Sequence, residues 1–438
     1  MANRRKQGSR RIFLPAVLAW SLSWWLPAPV ARAGAPLPSP PAAGLTFSGT
    51  AGALLSGGSE EPEGITALWL EPQLDLRLTS SLTLTGRVAT ARAVWAGPDD
   101  GFTAVTRLYA TWQGESLPLR LAAGRLPTAG FGAPGHLRSG RTEPDCELDG
   151  LNGLTLDGIS LTLPLPRPLP GKLSLYTARQ QDWGYEGNDN PAGFDDTRFH
   201  ALRWQATADG RRLSLQALLL ENLYNVPEDI VFPNPIEFCL YALDSSFYAP
   251  TVTSRNLILD RKNLGDISQV SLVWLDRWRR LDLFVNLAWS HTAPDGVDEL
   301  GTGLLSSFFV VPQSEDGYLV YAGLRCDLPE LASKVGVEYN HGSRYWIAVA
   351  ADKLAARGSV AEVYWTLSPP LSGPLAGPLD QVIFRCGLQH YWYDYTGSGY
   401  WLGEPLDIDE VRSDPLTARF YSPVDTESRA YAGVELFF

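Results

Sequence analysis

Alternation with a period of two dominates this chain. In residues 68–78, Leu68, Leu70, Pro72, Leu74, Leu76 and Leu78 fall on one face and Glu71, Gln73, Asp75 and Arg77 on the other. In 281–289, Leu281, Leu283, Val285, Leu287 and Trp289 oppose Asp282 and Asn286. Leu213, Leu215, Ala217 and Leu219 repeat the pattern against Arg212, Ser214 and Gln216. Successive side chains of a strand point to opposite faces, so each run predicts a strand with one apolar and one polar side. A soluble sandwich alternates in the same way, so periodicity alone leaves barrel and sandwich open.

The connections separate the two. Short turns fall at 80–81, 114–116, 167–171, 208–210, 278–280, 328–332 and 368–378. Longer segments lie between them, at 56–64, 96–101, 128–150, 182–196, 225–262, 292–316, 342–358 and 397–427. Strict alternation of tight turns and long, polar, mostly acidic loops is the arrangement of outer-membrane barrels. The expected fold is therefore an all-β, transmembrane, antiparallel up-and-down barrel over residues 45–438. Its short turns are periplasmic and its long loops extracellular. At about 25 residues per strand with its share of loop, the length allows 16 strands, or 18 with the shortest loops. The last strand ends on an aromatic. Tyr431, Gly433, Leu436 and Phe438 fit the C-terminal pattern by which the barrel insertion machinery reads such proteins.

The amino terminus supplies an export signal over residues 1–33. Arg4, Arg5, Lys6, Arg10 and Arg11 precede an apolar stretch, and Ala31-Arg32-Ala33 gives a small-x-small cleavage site. Pro15, Pro27 and Pro29 interrupt the apolar run, which a spanning helix tolerates poorly. Residues 34–44, rich in Pro and Ala, read as a flexible periplasmic lead-in. Charge then narrows the partners. The chain carries 36 Lys+Arg against 48 Asp+Glu, and removing the basic signal leaves it more acidic still. That excludes nucleic acid as a partner and leaves outer-membrane lipid and small hydrophilic solutes.

Two stretches near the C-terminus, VEYNHGSRYW at 337–346 and YDYTGSGYWLGEP at 393–405, resemble signatures of a proteobacterial outer-membrane family. It is catalogued as domain of unknown function 3373 and includes outer-membrane protein J of metal-reducing bacteria. GRLP at 124–127 followed by LDG at 148–150 is similar to the region of its third outer loop. The resemblance implies a porin-like barrel, in some members connected with respiration on external acceptors.

Candidate chemistry is sparse. Cys386-Gly-Leu-Gln-His390 lacks the second Cys of a covalent haem site, and the His residues show no ligand spacing. His200 and His390 alternate with apolar residues and read as packed or interfacial. No cofactor, metal site or catalytic constellation is expected. Cys146 and Cys239 fall in long loops, where an oxidising compartment permits a disulfide; two separate thiols fit equally well. Cys326 and Cys386 alternate with apolar neighbours and read as lipid-facing.

Alternation points Glu71, Asp75, Arg77, Arg107, Glu338, Glu362, Arg385 and Glu435 inward as candidate pore lining. A net negative interior would favour cations. The third long loop carries Arg138 and Arg141 beside Glu143, Asp145, Glu147 and Asp149. It either folds inward as a constriction or lies on the outer rim. The fifth, unusually apolar, is expected to bury that surface as a plug, in a hairpin or against a partner. Two functions fit: a passive diffusion channel, with a homotrimer as its common assembly, or a scaffold for a multihaem cytochrome. The scaffold usually needs a wider barrel, on the order of 20 strands. Adhesion through the acidic outer loops is a third reading.

Overall fold

The structure, a computed structural model, describes residues 44–59, 65–93, 101–114, 118–127, 156–166, 170–180, 197–208, 211–224, 229–232, 255–258, 262–298, 301–306, 311–348, 352–372, 378–399, 403–415, 418 and 423–438. The export signal, the lead-in up to residue 43, the third-loop residues Arg138, Arg141, Glu143, Asp145, Glu147 and Asp149, and Cys146 and Cys239 lie outside the described residues.

Among the described residues, eighteen strands are formed. They are β1 (Gly44–Gly58), β2 (Ile65–Arg77), β3 (Leu82–Ala93), β4 (Gly101–Gln113), β5 (Arg120–Leu126), β6 (Leu156–Leu165), β7 (Gly171–Gln180), β8 (Arg198–Ala208) and β9 (Arg211–Tyr224). The second half holds β10 (Asp229–Phe232), β11 (Arg255–Ile258), β12 (Asn263–Trp278), β13 (Leu281–Pro294), β14 (Asp316–Leu328), β15 (Ser333–Gly342), β16 (Gly358–Leu367), β17 (Gln381–Tyr393) and β18 (Thr426–Phe437). A short helix, α1 (Ile408–Ser413), sits between β17 and β18, capped by the Asp407 side chain. Sixteen strands close an antiparallel barrel in sequence order, with β12 pairing directly with β9. The fifth long loop contributes β10 and β11, which pair antiparallel with each other as a separate two-stranded sheet among the described residues.

Every predicted short turn falls between neighbouring barrel strands, most of them where Gly, Pro, Asp or Ser interrupts the alternation. The barrel closes where β1 meets β18, from Thr50 opposite Phe437 to Gly58 opposite Arg429. Gly49 N donates to Phe438 O at 2.6 Å and Phe438 N returns the bond at 3.1 Å. Closure matters because a spanning sheet has no water to satisfy a free edge.

The outer surface is apolar. Leu68, Leu70, Leu74 and Leu76 on β2, Leu108 and Trp112 on β4, and Val337 and Tyr339 on β15 are all exposed. On five consecutive strands this belt ends in one registered row at the long-loop end: Arg125, Asp157, Arg179, Arg198 and Glu221. His200 and His390 lie on the outer face near the same end, each bonded to a neighbouring hydroxyl. Cys326 and Cys386 are half-buried free thiols on that face.

Candidate functional site in the barrel interior

The interior begins with glycines. Gly317 on β14 and Gly342 on β15 have no side chain where residues of the seventh long loop cross them; a Cβ on Gly317 would strike the backbone of Tyr345 and Trp346, and one on Gly342 that of Ala356. The seventh long loop therefore lies against the inner wall. Gln269 Nε2 donates to Ile347 O at 2.5 Å. Trp346 Nε1 donates to Leu354 O at 2.7 Å. Asn340 Nδ2 donates to Lys353 O at 2.7 Å. Trp346, Ala348, Leu354 and Ala355 pack on Leu275, Phe284, Ala288, Leu319 and Tyr321 of the wall. Leu304 and Leu305 of the sixth long loop, with Ile347, cover a second apolar patch that includes Leu126, Leu156, Tyr176, Phe199, Leu220 and Ile267.

The eighth long loop locks the seventh in place. Arg357 is wholly buried and donates to backbone carbonyls of both loops. Its Nε donates to Trp346 O at 3.1 Å, and its Nη1 to Thr396 O at 3.2 Å and Gly397 O at 2.6 Å. Burial pulls this guanidinium down to about 10, which leaves it a cation at neutral pH. Arg344 Nε donates to Pro405 O at 2.9 Å, and Gly403 N to Gly303 O at 3.3 Å. The stretches at 337–346 and 393–405, far apart in sequence, thus hold each other in space.

Beneath this cap, Lys353 lies between Glu338 and Glu362, which sit opposite each other on β15 and β16. All three side chains are almost fully buried, at 2%, 1% and 1% exposure. Tyr321 Oη donates to Glu338 Oε2 at 2.6 Å, and Tyr431 Oη to Glu362 Oε1 at 2.5 Å. Two carboxylates in direct register repel, so the pair depends on the ammonium placed on it. Glu338 and Glu362 therefore face inward, as alternation predicts, but lie under the loop instead of against open lumen. Tyr431, from the C-terminal pattern, is a structural donor here.

The other predicted lining residues share the inner face of neighbouring strands. Glu71 pairs with Arg87 and accepts from Thr50 Oγ1 at 3.1 Å. Asp75 accepts from Thr85 Oγ1 at 2.6 Å and Gln73 Nε2 at 2.8 Å. Arg77, Arg107 and Arg385 are half-buried, and Glu435 is buried. Elsewhere, inward carboxylates pair with bases: Asp282 with Arg325 at 2.7 Å, Asp327 with Lys334 at 3.0 Å, and Glu427 with Arg429 at 2.5 Å.

One wall differs. The strand register places Arg107, Arg120, Lys172, Arg203 and Arg212 on the inner faces of β4, β5, β7, β8 and β9. Among the described residues, no carboxylate shares those faces from β4 to β9. Among the described residues, this wall therefore carries bases on its inner faces, while several inward acids on other strands pair with bases. Alternation in 212–216 placed Arg212 inward, but five bases on neighbouring strands are joined only by register. The inner apolar patch had a local signal as well. Ala217 to Leu220 is an uninterrupted apolar run, so both faces of β9 are greasy there, and the inner one needs a cover.

A closed antiparallel barrel, apolar outside and charged within, defines the class: a porin-like outer-membrane β-barrel. The family model described as "Protein of unknown function (DUF3373)" matches residues 92–438, and the chain belongs to that family. No curated protein matches the sequence. Among solved structures the chain is similar to OmpT, an outer-membrane protein of Vibrio cholerae in its trimer form, with 11% identity over 91% of this chain and 100% of that one and a TM-score of 0.48. It is similar to an anion-selective porin from Comamonas acidovorans, with 10% identity over 90% of this chain and 100% of that one and a TM-score of 0.48. It is also similar to Pseudomonas putida OprB at high pH, with 11% identity over 90% of this chain and 94% of that one and a TM-score of 0.48.

Proposed function

We propose that this protein is a passive diffusion channel for small hydrophilic solutes or ions in the outer membrane, reached through the export signal at residues 1–33. The observation that carries the reading is the combination of an apolar belt outside with a polar, charge-bearing inner wall on a sheet that has no edge. Such a shape is stable only with lipid around it and water within. The half-buried residues Asp75, Arg77, Arg107 and Arg385 are the lining in this reading. Selection rests on bore diameter and on the charge of the wall.

The loops packed inside support a narrow passage. They occupy space that a sheath around a multihaem cytochrome would need, so the channel reading is preferred. Purified protein in planar bilayers is expected to give discrete conductance steps. A folded protein that leaves the membrane current at background defeats the proposal. Crosslinking in native membranes tests the homotrimer separately.

A further inference from the structure

We propose that the seventh long loop rests on a bed of internal water, held on the inner faces of β9, β12 and β13 by Ser214, Gln269, Ser271 and Asn286. The strand register sets these groups out in rows. Ser214 is opposite Val273, and Val273 opposite Asn286. In the next row Gln216 faces Ser271, and Ser271 faces Ala288. In the third, nearest the long loops, Leu218 faces Gln269, and Gln269 faces Ser290. Ser214, Gln269 and Ser271 are 1% exposed and Asn286 is 0% exposed. Among the described residues, no group bonds to Ser214 Oγ, Ser271 Oγ, Gln269 Oε1 or either end of the Asn286 amide.

Buried polar atoms in native proteins are almost always bonded, to protein or to ordered water. These rows cannot satisfy themselves. Ser214 and Asn286 stand two strands apart, roughly 10 Å between backbones, with Val273 between them. The loop reaches only the third row with polar groups: Gln269 Nε2 donates to Ile347 O at 2.5 Å, and Ile347 N to Ser290 Oγ at 3.4 Å. Its remaining described contacts beside the rows are apolar, with Trp346, Ala348, Leu354 and Ala355 packed on Leu275, Phe284 and Ala288. The unmatched set is two hydroxyls, one amide oxygen and one whole amide. An ion would be buried there among neutral groups, which is costly. Water carries two donors and two acceptors and suits both kinds of group. The bed keeps the polar inner wall wet behind a loop that Arg357 and Arg344 fasten from the other side. This goes beyond the channel reading and holds whether or not the protein conducts.

The test is X-ray footprinting of the full-length protein folded in detergent. The pulse makes hydroxyl radicals from water in place, and these hydroxylate the nearest rings, read by mass spectrometry. Phe284 and Trp346 flank the rows at 3% and 1% exposure. After correction for the reactivity of each ring, both are expected to be labelled several-fold faster than Phe199, which is 2% exposed within the other apolar patch. That excess should be lost in the folded double variant Ser271→Ala, Asn286→Leu. Labelling no faster than that of Phe199 in the wild type overturns the inference, as does an excess that survives in the folded variant. If the variant does not fold, the wild-type comparison decides alone. Asn286→Leu by itself gives a second readout. Removing an unmatched amide from a dry site stabilises, whereas removing one partner of a held water strands the others. The urea midpoint is expected to fall, and a rise overturns the inference.

Discussion

At the scale of single residues, buried charge is the dominant feature. Lys353 bridges Glu338 and Glu362, and both carboxylates are almost fully shielded from water. Removing one member of a buried ionic cluster strands the others, which costs about 3–5 kcal/mol. Lys353→Gln is therefore expected to lower the unfolding free energy, read from urea titration in vesicles, by that amount and to move the midpoint down with it. Adding Glu338→Gln and Glu362→Gln should recover most of the loss. A midpoint unchanged by the single substitution would contradict the geometry. Asp425 gives the pH dependence. The hydrogen bond from Arg412, at 2.5 Å, holds its carboxyl below the usual carboxylate range. A lowered folded-state pKa contributes stability above the ordinary carboxylate value, about 3.9, and that stability is lost as pH falls through the lowered value. Amide exchange in α1 should quicken in that acidic window. In Asp425→Asn it should be fast already at neutral pH.

At the scale of elements, the seventh long loop behaves as part of the wall. It fits because Gly317 and Gly342 leave room for its backbone and because Arg357 and Arg344 fasten it to the eighth loop. Replacing residues 344–356 by a Gly-Ser linker is expected to enlarge single-channel conductance. It should also expose Phe284, Leu319 and their neighbours to an apolar dye. Gly317→Val should act in the same direction by steric conflict alone. An unchanged conductance in both would mean that the loop does not narrow the path. The family stretches at 337–346 and 393–405 supply several of the fastening groups, which gives that sequence similarity a physical content.

At the scale of the whole molecule, closure and the apolar belt decide where the protein can exist. Leu108 is 61% exposed on the outer face of β4. An arginine on the lipid face at mid-strand costs about 2–4 kcal/mol, falling to near zero at the rims. Leu108→Arg should therefore weaken folding into vesicles by an amount in that range. The wild-type protein should fold only when detergent or lipid is present. Ready folding in plain buffer would show that the belt is covered by something other than lipid.

Strand number, turn positions and the sorting of outer from inner faces were legible in the sequence, because each follows from the period-two projection of one strand and from local turn residues. The inward direction of Glu71, Asp75, Arg77, Arg107, Glu338, Glu362, Arg385 and Glu435 followed from the same rule. That rule gives direction and not surroundings. The burial of Glu338 and Glu362 under Lys353, and the grouping of Arg107, Arg120, Lys172, Arg203 and Arg212 on one wall, depend on pairing register and on loops that cross the bore. Those are contacts between residues distant in the chain, set by packing against surfaces that exist only once the barrel has closed. Hence the sequence by itself determined the barrel, while the tertiary structure alone decided which inward charges are buried beneath loops and which share one wall.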